Sequence, residues 1–134
     1  MDEGIREEIR LLLNRSHEDI EAAELLVNGG KYRAALSRAY YAMFYAATAL
    51  LVHRGQGSGK HSGVLALFDR HFIKTGLLPS EMSRALHKAF ELRQIGDYRE
   101  LVTLTEKQAD EVFQNARDFV RRTEQFLAPQ LPEH

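Results

Sequence analysis

Residues 34–52 read AALSRAYYAMFYAATALLV, a helix-length segment with almost no polar face. At 3.6 residues per turn, small residues fall on one narrow stripe of this helix and large apolar residues fall on another side. A helix that is apolar on all sides lies at the centre of a protein or crosses a membrane. Ser37, Arg38, Thr48 and three tyrosine hydroxyls argue against lipid. The segment therefore predicts a central helix, buried by other helices and in part by a second subunit. Its small-residue stripe consists of Ala35, Ala39, Ala42, Ala46 and Ala49.

The polar residues of this helix are not scattered evenly. Arg38, Tyr41 and Tyr45 lie close together in angle around the helix axis, so one strong cation shares its face with two phenols. This arrangement is the first indication of a binding site.

Size and composition set limits on the class of protein. A chain of 134 residues with 44% hydrophobic content fits one domain, residues 1–134, with its core in about residues 5–128. The formal net charge of -1 gives no overall attraction to nucleic acid, so any such site must be local. The absence of cysteine excludes a disulfide framework and a thiolate nucleophile. The acidic start, MDEGIREEIR, is unlike a signal peptide, which predicts a cytoplasmic protein that is not anchored in a membrane.

Helical periodicity extends over the rest of the chain. Apolar residues recur at three- and four-residue steps from Ile5 to Val27, and Gly29 and Gly30 end that run. Three more helices are expected: a short one that closes at Gly76, one that Ser80 caps and Gly96 ends, and a last one that Thr105 and Gln108 begin as a capping box. The pattern predicts an all-α, up-and-down bundle of four to five helices.

The glycine-rich loop GQGSG, followed by Lys60, suggests a phosphate-binding loop but fails in its details. Arg54 stands where the first glycine of that motif belongs, and His61 stands where serine or threonine belongs. Lys60 and His61 remain candidates for anion binding, because they lie at a predicted helix N-terminus. None of the six histidines has a glutamate three residues before it, so neither a metal site nor another cofactor is expected.

A second candidate site lies near the end of the fourth helix, in the sequence LRQIGDY of residues 92–98. Here Arg93 is followed by Asp97 and Tyr98. One interpretation is a surface ion pair between Arg93 and Asp97 that closes the helix, and the other is a functional arginine.

Three ordered blocks give the chain a resemblance to a known family. SRAYYAMFYA at 37–46, KHSGV at 60–64, and FELRQ at 90–94 with Asp97 and Tyr98 are together similar to the HEPN domain (higher eukaryotes and prokaryotes nucleotide-binding). The match covers about residues 20–126. The chain most resembles small stand-alone prokaryotic HEPN proteins, which are often encoded beside a minimal nucleotidyltransferase.

The resemblance implies a helical bundle that forms a homodimer and binds a nucleotide or RNA. Many members are toxins or metal-independent endoribonucleases that use an Arg-x4-6-His motif. Arg93 corresponds to the arginine of that motif, but Tyr98 stands where a histidine could complete it. Tyrosine, with an ordinary pKa near 10, is a poor base at neutral pH.

Three hypotheses follow from this departure. The first is a binding or toxin-like partner of a minimal nucleotidyltransferase. In it, Arg93 and Arg38 contact a phosphate, Tyr41, Tyr45 and Tyr98 orient or stack the ligand, and Lys60, His61 and Asp97 complete the site. The second is a ribonuclease in which Arg93 stabilises charge and Tyr98 or His61 transfers the proton. The third is a purely structural dimerisation or docking module.

Overall fold

The computed structural model describes residues 2–56, 61–98 and 103–131, without the side chains of 61–62 and 95–98. The regular secondary structure in these ranges is entirely helical, which confirms the predicted all-α class. The five α-helices are α1 (Glu3–Asn28), α2 (Tyr32–His53), α3 (His61–Phe68), α4 (Ser80–Tyr98) and α5 (Glu106–Leu127). A π-helical segment, Asp69–Ile73, continues α3, and a 3-10 turn, Ala128–Gln130, follows α5.

Helix α2 is the centre of the bundle, as its sequence predicts. It packs against α1, α3, α4 and α5. All five alanines of its small-residue stripe are 0 to 1% exposed in the single chain. The Ser16 hydroxyl of α1 donates a hydrogen bond of 2.9 Å to the Ala42 carbonyl, which shows how closely the two helices approach. The alanine stripe is therefore covered inside one subunit. In the described ranges, no helix combines the length and apolar character that a membrane span requires.

The helix ends follow the capping residues of the sequence, with two corrections, both in α4. The Asp2 carboxylate accepts a hydrogen bond from the Ile5 amide at α1, and Thr105 and Gln108 form the expected capping box at α5. Gly96 was expected to end α4, but the helix continues to Tyr98. Glycine weakens a helix by about 1 kcal/mol but keeps its N–H, so it does not stop the helix as proline does. Helix α4 also begins at Ser80 itself rather than after it.

The core is built from the inward faces of all five helices. Fully buried side chains include Tyr40 and Met43 of α2, Leu86 of α4 and Phe119 of α5. Phe68 of α3 lies 5.4 Å from Phe119, measured between ring centroids. Helix α2 packs against both α1 and α4, and these three helices carry the candidate site.

Candidate functional site: an arginine–tyrosine cluster on α2

The partly exposed face of α2 carries a cluster of arginine and tyrosine side chains, here called the arginine–tyrosine cluster. It consists of Arg15 from α1, Arg38, Tyr41 and Tyr45 from α2, and Arg93 from α4. The Arg38 guanidinium lies 5.1 Å from the centroid of the Tyr41 ring. Tyr41 and Tyr45 are one helical turn apart, with their ring centroids at 6.1 Å. The structure thus brings together the three α2 residues that the sequence placed on one face.

Arg93 reaches the same tyrosine from another helix. Its guanidinium lies 5.0 Å from the centroid of the Tyr41 ring and 5.6 Å from that of Tyr40. Its Nη2 donates a hydrogen bond of 3.0 Å to the Tyr41 hydroxyl. Two regions 52 residues apart in sequence therefore meet at one side chain. The alternative of an Arg93–Asp97 pair involves a side chain outside the described part of the structure.

Asp19 of α1 holds Arg38 in place. Arg38 donates from Nη1 to the Asp19 carboxylate at 2.9 Å, and Asp19 is only 8% exposed. Burial raises the pKa of Asp19 above its ordinary value, and the neighbouring charge of Glu18 acts in the same direction. The charge and hydrogen bond of Arg38 counter this shift without cancelling it. The Asp19 carboxylate is thus a desolvated group that depends on Arg38.

Sequence reasoning missed three residues of this site. Arg15 places its guanidinium 5.6 Å from the centroid of the Tyr45 ring. Asp19 holds Arg38, and Tyr40 lies under Arg93. Asp19 could have been found from spacing, because it lies three residues after Ser16 and four before Ala23, at the rhythm of the buried positions of α1. An acid at such a position predicts a partner on the facing helix.

For the other candidate residues, the structure describes at most the backbone. Lys60 lies outside the described residues. His61 is the first residue of α3, while Asp97 and Tyr98 form the last turn of α4, but their side chains lie outside the described part. Because α4 continues to Tyr98, this residue lies on the same helix as Arg93, five positions later, rather than in a loop.

The charge of the cluster suits an anion. Arg38 and Arg93 approach one ring at 5.1 and 5.0 Å, so their guanidinium carbons are at most 10.1 Å apart. Asp19 offsets part of the Arg38 charge, and an anion beside the two guanidinium groups would relieve the repulsion that remains between them. The Arg38 side chain is 41% exposed, which leaves it accessible to a ligand. Burial raises the pKa of Tyr40 far above its ordinary value, so that phenol stays neutral and offers no base near Arg93.

Two cavities outside the cluster differ in charge. One of about 460 Å³ at the start of α2 is lined by two basic side chains, Lys31 and Arg33, and by no acidic one. A cavity of about 800 Å³ lies between the α1–α2 turn and the start of α5. Two of its lining side chains, Glu106 and Asp110, are acidic, and Lys107 is its one basic residue.

In the part of the chain that the structure describes, no three histidine, aspartate or glutamate side chains are grouped as metal ligands.

Comparison with known proteins shows the class to which this bundle belongs. The family model of the HEPN domain matches residues 9–126. The chain belongs to the HEPN domain family, as its sequence blocks predicted.

Several relatives are similar over most of the chain. A "UPF0332 protein" of Thermotoga maritima is 41% identical over 84% of this chain and 80% of its own length. Two proteins of Methanocaldococcus jannaschii, named "Putative toxin MJ0142" and "Putative toxin MJ0605", are 33% and 35% identical over 95% of this chain. These matches cover 86% and 94% of the two relatives.

Proposed function

We propose that this protein binds the phosphate groups of a nucleotide or RNA through the arginine–tyrosine cluster, and that it is the toxin-like partner of a minimal nucleotidyltransferase. The contact of Arg38 and Arg93 with the single Tyr41 ring carries the proposal. Guanidinium groups form charge-assisted, often bidentate bonds with phosphate. Tyr41 holds two of them on one partly exposed surface, with Arg15 on the adjacent Tyr45 as a further cation.

The surface extends along α2 in a way that supports a second phosphate contact. The Tyr41 and Tyr45 rings are 6.1 Å apart, and each carries an arginine of another helix. Aromatic rings also provide stacking surfaces for bases, at about 1 to 3 kcal/mol per base. A ligand with more than one phosphate would therefore contact both ends of the cluster.

The proposal includes a homodimer. The alanine stripe is covered within the subunit, but another side of α2 is only partly covered in the single chain, at Tyr41, Phe44, Tyr45 and Thr48. Aromatic side chains at a partly covered helix face are typical of subunit interfaces. In the proposed dimer, a second copy covers this face at Phe44 and Thr48, while Tyr41 and Tyr45 lie at the edge of the interface, where the arginine–tyrosine cluster stays accessible to a ligand.

The partner is proposed on two supports. The two Methanocaldococcus jannaschii relatives carry the word toxin in their names. The sequence blocks resemble those of small HEPN proteins that are encoded beside a minimal nucleotidyltransferase. A copurification test follows: a minimal nucleotidyltransferase from the same genome, expressed with an affinity tag, should retain this protein on the column.

A binding experiment tests the anion site. Fluorescent single-stranded RNA is titrated with wild-type protein, Arg93→Ala and Arg38→Met in EDTA. Loss of a charge-assisted contact should weaken binding by about 1.5 to 3 kcal/mol in Arg93→Ala. Arg117→Ala is the matched control, because Arg117 lies over the Phe113 ring at 5.5 Å on α5, away from the cluster. Equal affinity of wild-type protein, Arg93→Ala and Arg117→Ala would contradict the proposal.

A cleavage experiment separates binding from ribonuclease activity. The same RNA is incubated with wild-type protein, Tyr98→Phe and Tyr98→His, again in EDTA. If the protein is a binder, Tyr98→Phe binds nearly as well as wild type, and neither cleaves. If Tyr98 transfers a proton, wild-type protein cleaves and Tyr98→Phe lowers the rate by about 10² or more. Cleavage by Tyr98→His alone would show a cleft that lacks only its base.

A further inference from the structure

A second group of polar side chains lies outside the arginine–tyrosine cluster, where α3 meets α4. Asp69 is the first residue of the π-helical segment that follows α3. Its Oδ1 accepts a hydrogen bond of 2.6 Å from the Ser83 hydroxyl. Its Oδ2 lies 2.7 Å from Nε2 of His87. Ser83 and His87 are one turn apart on α4, so both carboxylate oxygens are bound by one helix face.

This geometry determines which nitrogen of His87 carries the proton. An ionised carboxylate only accepts hydrogen bonds, so Nε2 must donate to Asp69. In the neutral ring, Nδ1 then has a free lone pair. Among the residues that the structure describes, none forms a hydrogen bond with Nδ1. His87 thus offers an oriented acceptor.

His87 lines a cavity of about 590 Å³. Known small-molecule sites have volumes of roughly 300 to 1,000 Å³. Besides His87 and Asp69, the cavity is lined by three apolar side chains, two side chains of opposite charge and one amide. These are Leu65, Ala66 and Phe90, then Lys74 and Glu91, and then Gln94.

Two charged side chains of this wall, those of Lys74 and Glu91, are available to a ligand. Within the described ranges, neither Lys74 nor Glu91 forms an ion pair, and both are exposed. Glu91 follows His87 by four residues, so the carboxylate and the imidazole lie on the same face of α4. The cavity therefore combines one cation, Lys74, with two carboxylates, those of Glu91 and of the His87-bound Asp69, and with an imidazole and an apolar floor.

We propose that this cavity binds a small zwitterion of the amino-acid type whose apolar ring carries a hydroxyl group. The ring lies on Leu65 and Phe90, and the hydroxyl donates to Nδ1 of His87. The ligand ammonium pairs with Glu91, and its carboxylate pairs with Lys74. The site is independent of the proposed phosphate binding, because it uses none of the arginines of the cluster.

A second histidine–carboxylate pair in the protein differs from the His87–Asp69 pair in burial and in hydrogen bonding. His17 of α1 also meets a carboxylate, with its Nε2 2.9 Å from Glu124. The His17 and Glu124 side chains are 50% and 40% exposed, against 41% and 27% for His87 and Asp69. Only Asp69 has a serine hydroxyl on its second oxygen as well. His17 is therefore the matched control for a substitution at His87.

The test titrates L-tyrosine into isotope-labelled full-length protein at pH 8 and follows amide shifts by NMR. Three ligands that each lack one group serve as comparisons: L-phenylalanine, tyramine and 4-hydroxyphenylpropionate. We expect saturable binding of L-tyrosine in the millimolar range, with shifts centred on α3 and α4. A single lost hydrogen bond should make L-phenylalanine bind about fivefold more weakly. Absence of L-tyrosine binding, or equal binding of all four ligands, would overturn the proposal.

Variants assign each ligand group to its residue. His87→Gln should remove the preference for L-tyrosine over L-phenylalanine, while His17→Gln should keep it. Glu91→Gln should remove the preference over 4-hydroxyphenylpropionate, and Lys74→Met the preference over tyramine. Lys74 and Glu91 are exposed, so these two variants keep the test decisive if His87→Gln does not fold. Unchanged preferences in the Glu91 and Lys74 variants would refute the assignment.

Discussion

The contact between Arg93 and Tyr41 should contribute measurably to stability, before any ligand binds. Tyr41→Phe removes the hydroxyl that accepts from Nη2 at 3.0 Å but keeps the ring. We expect it to lower the free energy of unfolding by about 1 kcal/mol, the net value of one hydrogen bond. Arg93→Ala also removes two cation–π contacts, at 5.0 and 5.6 Å, worth about 0.5 to 1 kcal/mol each. Its expected cost is about 2 to 3 kcal/mol.

The assay is urea unfolding of wild-type protein, both single variants and the double variant at one fixed protein concentration. A fixed concentration matters because association would stabilise the folded state. If the contact is real, the double variant loses less than the two single variants together, by about 1 kcal/mol. Each kcal/mol corresponds to about 3 to 5 °C in Tm for a domain of this size.

Additivity would refute this reasoning. If the coupling between the two substitutions is below about 0.3 kcal/mol, Arg93 does not bind the Tyr41 hydroxyl in solution. Arg117→Ala, combined with Tyr41→Phe, is the control pair that should be additive, because Arg117 contacts Phe113 instead.

The remaining predictions concern charge, burial and assembly. Arg38→Met keeps the packed stem of the side chain but leaves the Asp19 carboxylate without its partner. Urea unfolding at pH 7 should therefore give a free energy of unfolding that is lower by about 1 to 3 kcal/mol. Because the pKa of Asp19 is raised in the folded state, the folded protein holds that proton more tightly than the unfolded chain does. The contribution of Asp19 to stability should therefore fall as the pH rises from 3.8, the ordinary pKa of the group, through its higher pKa in the folded state. Asp19→Asn should remove this pH dependence from the midpoints of urea unfolding. Ala42→Leu should lower Tm, because the position is 0% exposed against α1 and overpacking costs about 1 to 3 kcal/mol. Phe44→Arg should instead separate the dimer without unfolding the chain, so that the mass measured by light scattering falls from twice 15.3 kDa towards 15.3 kDa. A wild-type mass of 15.3 kDa would contradict the proposed dimer.

The sequence by itself determined the helical class and most helix ends. Helical hydrogen bonds are local, so apolar spacing and capping residues such as Thr105 report them directly. It also determined that Arg38, Tyr41 and Tyr45 share a face, since that depends only on helical geometry. The end of α4 was placed wrongly at Gly96, because a glycine permits a stop without requiring one.

Only the tertiary structure decided which residues of different helices meet. Arg93 joins Tyr41 from 52 positions away, and Asp19 joins Arg38 from 19. Such contacts depend on how α1 and α4 are rotated and placed against α2, which is set by packing of the whole core rather than by local spacing. The same holds for Asp69 of the π-helical segment, which meets Ser83 and His87 of α4. A pattern of 3.6 residues shows which side of a helix is buried, but it does not name the neighbour that covers it.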